Sequence, residues 1–226
     1  MDESVLIVNA GVVQAHEQGI LTSASLMVRW PAAAEAASYA SSSSRLSLGL
    51  HVDLGEWVLR DGTWEPVYEV VPLERTELVE AEVKAQIESF QRMTGRNPTH
   101  LDSHQHIHNW ETTVRVFTQF ARELGVPLRH HTNAIAYCGF LYGQASDGEP
   151  IPGVTVERLI EIIAGLPAGV TELACHPGLG EDSGSVYDRE RAREVEILCD
   201  PRVREVLQRE GVALRSFADI QSSDHT

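Results

Sequence analysis

Basic residues and cysteines are scarce in this sequence, and each shortage argues against a class of protein. Eighteen lysines and arginines stand against 33 aspartates and glutamates, which gives a formal charge of −15 at pH 7. A surface with that charge repels nucleic acid and anionic membranes, so we predict neither as a partner. The three cysteines, Cys138, Cys175 and Cys199, are scattered and odd in number. This argues against a disulfide framework and is typical of a reducing compartment.

Long hydrophobic runs are missing as well. No stretch approaches the roughly 20 apolar residues of a membrane-spanning helix, and the first four residues, MDES, lack the basic start of a signal peptide. A composition of 42% hydrophobic and 23% charged residues is that of an ordinary globular protein. We therefore predict a cytoplasmic protein without a membrane partner. Its charge favours a neutral or weakly polar small molecule as ligand.

Several motifs of well-known enzyme classes are absent. The sequence has no glycine fingerprint for a dinucleotide, no Walker loop and no helical HExxH. It also has no GxSxG elbow of a serine hydrolase, and no Cys-x-x-Cys pair for a structural zinc ion. Cys175 next to His176 is a poor candidate for a nucleophilic cysteine, because adjacent residues of a strand point to opposite faces.

Apolar runs typical of buried strands alternate along the chain with stretches typical of helices. Strands are predicted at residues 5–8, 20–28, 46–52, 98–103, 127–129, 170–175 and 212–217. Helices are predicted at residues 11–18, 32–40, 76–94, 111–124, 156–163, 187–198 and 201–210. The alternation predicts one α/β domain over residues 1–226, with a parallel sheet of about seven strands closed or nearly closed into a barrel. Residues 56–73 are predicted to be an irregular insertion, and residues 137–152 a substrate-side loop.

Histidines follow three of the predicted strands. His51 ends the strand at 46–52, His104 follows the strand at 98–103, and His176 follows the strand at 170–175. The carboxyl ends of parallel strands meet at one edge of a sheet. Imidazole is the commonest metal ligand and a proton carrier near neutral pH. A single histidine at a strand end is more often a packing residue, whereas these three with Asp53 and Asp102 predict a metal or acid–base site.

Residues 99–108, THLDSHQHIH, hold four of the ten histidines. In an extended strand, His100, Asp102 and His104 share one face. His100 lies early in the strand and is predicted to be interior, whereas His104 lies at its end, where a ligand is expected. Two interpretations of His106 and His108 stay open: they line a pocket, or they cap the following helix.

The start of the chain has a very short connection. Only Asn9 and Ala10 separate the predicted strand at 5–8 from the predicted helix that begins at Gly11, which is the short limit for a strand-to-helix loop. Such loops form the active face of parallel α/β folds. Either the loop is truly minimal, or residues are missing from the sequence as printed.

Five segments, taken in order, carry a family resemblance. They are residues 6–10 (LIVNA), 19–25 (GILTSAS), 49–54 (GLHVDL), 98–108 (PTHLDSHQHIH) and 175–177 (CHP). The HLDSHQH block is specific, and the other segments gain weight from their order. Together they resemble the YdjC-like carbohydrate deacetylases. The resemblance implies a distorted (β/α) barrel that removes acetyl groups from N-acetylated amino sugars with one divalent metal ion.

The resemblance also implies roles for individual residues. It makes His51 and His104 metal ligands and puts His176 in the active site. In the family, the first strand ends in Asn-Ala-Asp-Asp-Phe-Gly, whose first aspartate resembles a catalytic base and whose second is the third metal ligand. This chain passes from Ala10 directly to Gly11 and lacks both. We favour an unseen loop over a true deletion, because the motifs on both sides are intact.

The resemblance therefore implies a metal-dependent hydrolase of N-acetylated amino sugars or short oligosaccharides. His176 is predicted to protonate the leaving amine, and Asp102 to orient His104 or a neighbouring histidine. Asp102, His106 and Arg129 are predicted on the substrate side, with a structural ion pair as the alternative for Arg129. Zinc suits two histidines and a carboxylate, whereas magnesium prefers more oxygen ligands, and both stay open.

A true deletion at Ala10 favours another class of protein. A site without both aspartates predicts a non-catalytic sugar-binding or regulatory protein on the same scaffold. In either case the partner is a small amino sugar. The sequence leaves the oligomeric state open, a homodimer included.

Overall fold

The structure, a computed structural model, describes residues 3–43, 45–141, 155–179 and 188–220. Its helices and strands fall into two units. One unit combines Met1–Thr22 with Ala134–Arg215, and the other combines Ser23–Asn133 with Ser216–Thr226. Both units contain helices and parallel strands. The single domain over residues 1–226 stays a prediction.

Strands and helices alternate through the described residues. The strands are β1 (Ser23–Leu26), β2 (Ser47–Val52), β3 (Gly55–Arg60), β4 (Thr63–Glu69), β5 (Leu101–Ser103), β6 (Ile135–Cys138) and β7 (Val170–Leu173). The α-helices are α1 (Glu3–Glu17), α2 (Ala33–Ser42), α3 (Thr76–Thr94), α4 (Val114–Leu124), α5 (Val156–Ala164), α6 (Asp188–Cys199) and α7 (Pro201–Arg209). Short 3-10 helices span His104–Asn109 and Phe217–Asp219. None of the helices described combines the length and the apolar character that crossing a membrane requires.

The parallel strands do not close into a barrel within the described residues. β1, β2 and β5 form a three-stranded sheet with β2 in the middle, and β6 pairs with β7. β3 and β4 form a separate antiparallel hairpin. The predicted strand at 127–129 contributes one bridge, between Leu101 and Leu128. Residues 212–216 of the predicted strand at 212–217 have no regular secondary structure, and Phe217 begins a 3-10 helix. The mixed α/β class is confirmed, whereas the seven-stranded barrel is not.

Helix α3 covers the sheet β1-β2-β5 as its sequence pattern predicts. Val79, Val83, Ile87 and Phe90 form its buried stripe, at the spacing that places side chains on one face of a helix. The helix contacts α2, α4 and β2. It ends at Gly95, whose φ of 70° is the left-handed conformation that glycine adopts at little cost. Its bounds are those predicted from sequence.

The first element is a helix and not the predicted strand at 5–8. Helix α1 runs without interruption from Glu3 to Glu17, so Asn9 and Ala10 lie inside it. Two residues are the minimum for a strand-to-helix turn, and helical hydrogen bonding continues through them despite the β-branched residues before them. The chain is continuous at this point. The explanation by an unseen loop is therefore wrong, and the two aspartates implied by the resemblance are absent.

The insertion at 56–73 is a hairpin and not an irregular segment. Asp61 and Gly62 join β3 to β4 with φ values of 50° and 79°, and Arg60 pairs with Thr63. A two-residue Asp-Gly turn with both φ values positive is the turn that suits the twist of two antiparallel strands. The Asp-Gly dipeptide is a sequence signal for such a hairpin, and the prediction of an irregular segment overlooked it.

The unit that contains α1 has its own apolar core. Its buried members come from α1, α5, α6, α7 and the segments next to them: Ala15, Ile20, Leu141, Leu159, Ile163, Ile197, Leu198, Val203, Val206 and Leu207. The carboxylate of Glu194 on α6 is buried in this unit at 1% exposure. Its Oε2 accepts the backbone N–H of His176 at 2.5 Å. Burial raises the pKa of Glu194 to about 7, against the opposing effects of that N–H and of Arg191.

Replacing Glu194 with glutamine is expected to stabilise the protein more at pH 8 than at pH 5. Because the pKa of about 7 in the folded protein lies above the ordinary 4.5, the wild type loses stability as the pH rises through this interval. Glutamine carries no charge to bury. The free energy of unfolding of E194Q relative to wild type should grow by up to about 3 kcal/mol across the interval, as measured by urea unfolding at both pH values.

Glu196→Gln is the matched control. Glu196 lies on the same helix but is exposed, so its replacement should change stability equally at both pH values. An E194Q variant whose stability relative to wild type does not change between pH 5 and pH 8 would contradict the raised pKa.

Candidate active site

The carboxylate of Asp102 lies at the centre of a group of polar side chains. Asp102 is 1% exposed on β5. Its Oδ1 lies 2.9 Å from His51 Nδ1, and its Oδ2 accepts a hydrogen bond from Ser25 Oγ at 3.1 Å. Arg129 Nη1 lies 2.7 Å from Oδ2. Burial alone would raise the pKa of Asp102, but Arg129 and His51 beside it outweigh burial and hold that pKa well below its usual range.

His51 is oriented by this carboxylate. His51 on β2 and Asp102 on β5 are register partners in the parallel sheet, which places their side chains next to each other. Because the carboxylate accepts the Nδ1 proton, the lone pair of the neutral ring lies on Nε2. A carboxylate behind an imidazole is the usual arrangement for histidines that bind metals. Asp102 was predicted to orient His104 or a neighbour, and the structure identifies the neighbour as His51.

His104 begins the 3-10 helix directly after β5. Its ring centre lies 5.8 Å from that of His51, so the two predicted metal ligands are neighbours. Nε2 of His104 is buried and has no hydrogen-bond partner among the described residues. Oε2 of Glu56 on β3 is 3.7 Å away, within reach of an ion pair but beyond a hydrogen bond. This atom of His104 is therefore available as a ligand.

The pair of His51 and His104 is incomplete as a metal site. In the part of the chain that the structure describes, the two do not belong to any group of three candidate ligands with atoms within 4.8 Å of one another. Two imidazoles fit part of the donor set of a divalent ion, which in proteins usually has three or more protein ligands. The missing group corresponds to the carboxylates that the resemblance places at the end of a first strand. Glu56 is the carboxylate that contacts His104.

His100 is a packing residue, as predicted from its early place in the strand. It is 3% exposed, and its ring stacks on Phe217 with centres 3.9 Å apart. Nε2 of His100 lies 2.9 Å from Ser25 Oγ, the same hydroxyl that contacts Asp102. A Cβ on Gly49 would lie 2.4 Å from this ring, so glycine is required there. Burial lowers the pKa of His100 to about 4, and the ring is neutral at pH 7.

The segment after His104 has an uncommon backbone conformation. Gln105 and His106 have φ values of 50° and 53°, a region that costs non-glycine residues about 1–2 kcal/mol each. Gln105 makes two hydrogen bonds with the backbone of Trp57 in β3: Oε1 accepts the N–H at 2.9 Å, and Nε2 donates to the carbonyl at 2.8 Å. These bonds hold the segment against the hairpin and offset part of the backbone cost.

A second group of histidines follows. His106, His108 and His130 have ligand atoms within 4.8 Å of one another, and no other group of this kind occurs among the described residues. Burial first, and the charge of Arg129 in addition, lower the pKa of all three rings, to about 4 for His106 and about 3 for His108. All three are therefore neutral at pH 7. His106 lies beside His130 with ring centres 5.1 Å apart.

The remaining predicted residues have different surroundings. Arg129 forms the ion pair with Asp102 that was the alternative to substrate contact. Asp53 is buried, and its Oδ1 accepts hydrogen bonds from the backbone N–H of Gly55 and the hydroxyl of Tyr68, so it fixes the start of the hairpin. His176 follows β7 in the other unit. Its place in the same active site stays a prediction.

Sequence reasoning missed His130, Ser25 and Glu56. His130 directly follows the predicted strand at 127–129, so the argument from strand ends would have found it. Ser25 lies in a predicted strand in line with Ser23, a polar alternation that we did not connect with the site. Glu56 had no signal, because its place depends on the hairpin that we read as irregular.

Replacing Asp102 with asparagine is expected to lower the free energy of unfolding by about 3 kcal/mol or more, because Arg129 and His51 lose the charge that compensates their burial. Urea unfolding at pH 7 measures the loss. Asp61→Asn is the matched control, since Asp61 is exposed in the hairpin turn and its replacement should change stability by no more than about 0.5 kcal/mol. Equal stability of the two variants would refute the compensating role of Asp102.

Comparison with known proteins gives a consistent picture. A family model described as YdjC-like protein matches residues 7–209. The carbohydrate deacetylase of Geobacillus stearothermophilus is 30% identical over an alignment of 233 residues, which covers 94% of this chain and 91% of that protein. The chitooligosaccharide deacetylase of Salmonella schwarzengrund (strain CVM19633) is 28% identical over 254 residues, with 96% and 100% covered. Both alignments are longer than the 226 residues of this chain, so the two relatives have residues without a counterpart here.

A solved structure agrees in fold. The crystal structure of an Enterococcus faecalis V583 protein assigned to cellobiose-phosphate cleavage has a TM-score of 0.72 and 24% identity, with 94% of this chain and 92% of that chain covered. At this identity the likeness concerns the fold. The family match extends over most of the chain and includes His51, His104 and His176. The chain therefore belongs to the YdjC-like family.

Proposed function

We propose that the protein is a carbohydrate deacetylase that hydrolyses the acetamido group of N-acetylated amino sugars or short oligosaccharides. The observation that carries the proposal is the pair of His51 and His104, with His51 oriented by Asp102. The relatives that are named carbohydrate deacetylase and chitooligosaccharide deacetylase support the same reaction and substrate class. The acidic surface of the chain favours a substrate without negative charge.

His51 and His104 would hold a divalent metal ion through their Nε2 atoms. When bound, the ion supplies a Lewis acid that polarises the acetyl carbonyl and lowers the pKa of a water molecule. Imidazole ligands favour zinc, and magnesium would need more oxygen ligands than this pair supplies. Asp102 contributes by fixing the ring of His51, a supporting role that its burial favours over direct contact with substrate.

Glu56 is our candidate for the carboxylate function of the missing loop. It lies on β3, is 43% exposed, and its Oε2 is 3.7 Å from His104 Nε2. An exposed carboxylate next to a ligand histidine can accept a proton from water or provide an oxygen ligand. His106 would line the substrate side, whereas Arg129 would act through its ion pair with Asp102. His176 would protonate the leaving amine, the role that the family resemblance implies for it.

Acetate release from N-acetylated chitooligosaccharides tests the proposal. The protein is stripped of metal and assayed with and without added Zn²⁺ or Mg²⁺. Because loss of a residue that merely supports a ligand costs about 10–100-fold, His51→Ala and His104→Ala should each lower kcat/KM by about 100-fold or more. Glu56→Gln should lower kcat. His131→Ala is the matched control, because its Nε2 contacts Asn109 and its removal should leave kcat/KM unchanged.

The helix α1 favours a second candidate, a sugar-binding or regulatory protein without turnover. It runs without interruption through the position of the loop that would carry two aspartates. If calorimetry detects oligosaccharide binding but no acetate is released under any metal condition, this second candidate is correct and the deacetylase proposal is wrong. A variant with Asp-Asp-Phe-Gly inserted after Ala10 completes the experiment, since deacetylation gained only on insertion would assign the missing activity to the loop.

A further inference from the structure

We propose that His106, His108 and His130 bind a transition-metal ion, at a site built from residues other than His51 and His104. Two of the three histidines lie in the 3-10 helix His104–Asn109, and the third follows the bridge at Leu128. The segments that carry them belong to the same unit. The proposal does not depend on the deacetylase activity.

The distances suit three ligands of one ion. The ligand atoms lie within 4.8 Å of one another, and the ring centres are 5.1, 5.7 and 5.9 Å apart. Two nitrogens on a tetrahedral zinc ion are separated by about 3.3 Å, given Zn–N bonds of about 2.0–2.1 Å. Ring rotations that shorten the separations by about 1.5 Å at most would therefore complete the site.

His108 provides an independent reason to expect a ligand. Its side chain is 0% exposed. Nδ1 lies 2.7 Å from Ser103 Oγ, which also accepts the backbone N–H of His108 at 2.9 Å. Nε2 is buried and has no hydrogen-bond partner among the residues described. Buried polar atoms without a partner are uncommon, and an ion bound to Nε2 satisfies this one while Nδ1 donates to Ser103, as ligand histidines usually do.

His130 makes the group of three histidines accessible from solvent. It is exposed, so an ion from solvent can reach the group. Its φ of 65° is a left-handed conformation that few non-glycine residues adopt. The following residue, His131, has its Nε2 at 2.8 Å from Asn109 Oδ1 and does not belong to the group. The two adjacent histidines thus provide one ligand and one matched control.

The chemistry of the group selects the metal. Three imidazoles without a carboxylate favour zinc, cobalt, nickel or copper, and they disfavour magnesium and calcium, which bind oxygen ligands. Metal binding at these three histidines can therefore be distinguished from binding at His51 and His104, both by replacing residues and by comparing which ions bind. Cobalt is the most useful probe, because its visible absorption reports tetrahedral coordination.

Titration of the metal-free full chain with Co²⁺, followed by visible absorption and calorimetry, tests the site. The wild type and H131Q should bind with the same affinity, whereas H130Q should bind about tenfold or more weakly. The double variant H51A/H104A should retain the absorption band. Mg²⁺ at the same concentrations should produce neither signal. Circular dichroism checks that each variant is folded. Because His130 is exposed, we expect its replacement to leave the fold intact.

Three results would overturn the proposal. H130Q could bind Co²⁺ as tightly as wild type, H131Q could weaken binding as much as H130Q does, or the absorption band could vanish in H51A/H104A. The first excludes His130 as a ligand, the second indicates nonspecific binding to surface histidines, and the third assigns the ion to the other pair. Because these measurements report binding, they give their answer whether or not the protein releases acetate.

Discussion

The buried carboxylate of Asp102 connects three strands of the sheet, and the orientation of the site depends on it. Ser25 comes from β1, His51 from β2, and Arg129 from the segment that bridges to Leu101. An isolated carboxylate in this place would be very costly to bury. Three donors from three segments remove that cost only when the strands are in register, so the same contacts that fix the sheet also fix the ring of His51.

Arg129 has a second effect, on the histidines near the carboxylate. Burial is the main reason that the pKa values of His100, His106 and His108 are low, and the charge of Arg129 lowers them further. The protein is strongly acidic as a whole, yet the imidazoles of His100, His106 and His108 are neutral at pH 7. Neutral imidazoles have a lone pair to offer to a metal ion, so the local balance of charge favours metal binding over pairing with carboxylates.

The sequence predicted those features that depend on local periodicity or on strand order. Helix α3 was predicted to the residue because an apolar stripe and a terminal glycine agree. The proximity of His51 to His104 followed from the convergence of parallel strand ends. His100 was assigned to the interior because the strand alternates. In each case a single segment, or two neighbouring strands, carries all the information that the prediction needs.

The failures concern features that depend on what is missing or on distant partners. Residues 5–8 have the β-branched composition of a strand, but the absence of a loop after Ala10 lets the helix extend through them. The barrel was inferred by counting strands, yet residues 127–129 contribute a single bridge to β5, and residues 212–217 form no strand in the part of the chain that the structure describes. His130 was missed although it directly follows the predicted strand at 127–129, because its proximity to His106 and His108 depends on how the chain folds back.

The contact between Gln105 and Trp57 has a consequence for how the protein meets its neighbours. β3 belongs to a two-stranded sheet, so one of its edges has no strand beside it among the residues that the structure describes. Open edges of this kind invite pairing with another chain, which leads to aggregation. The amide of Gln105 occupies both the N–H and the carbonyl of Trp57, and so takes the place of one residue of an added strand. The residue that shapes the histidine segment thus also protects an edge against intermolecular β-pairing.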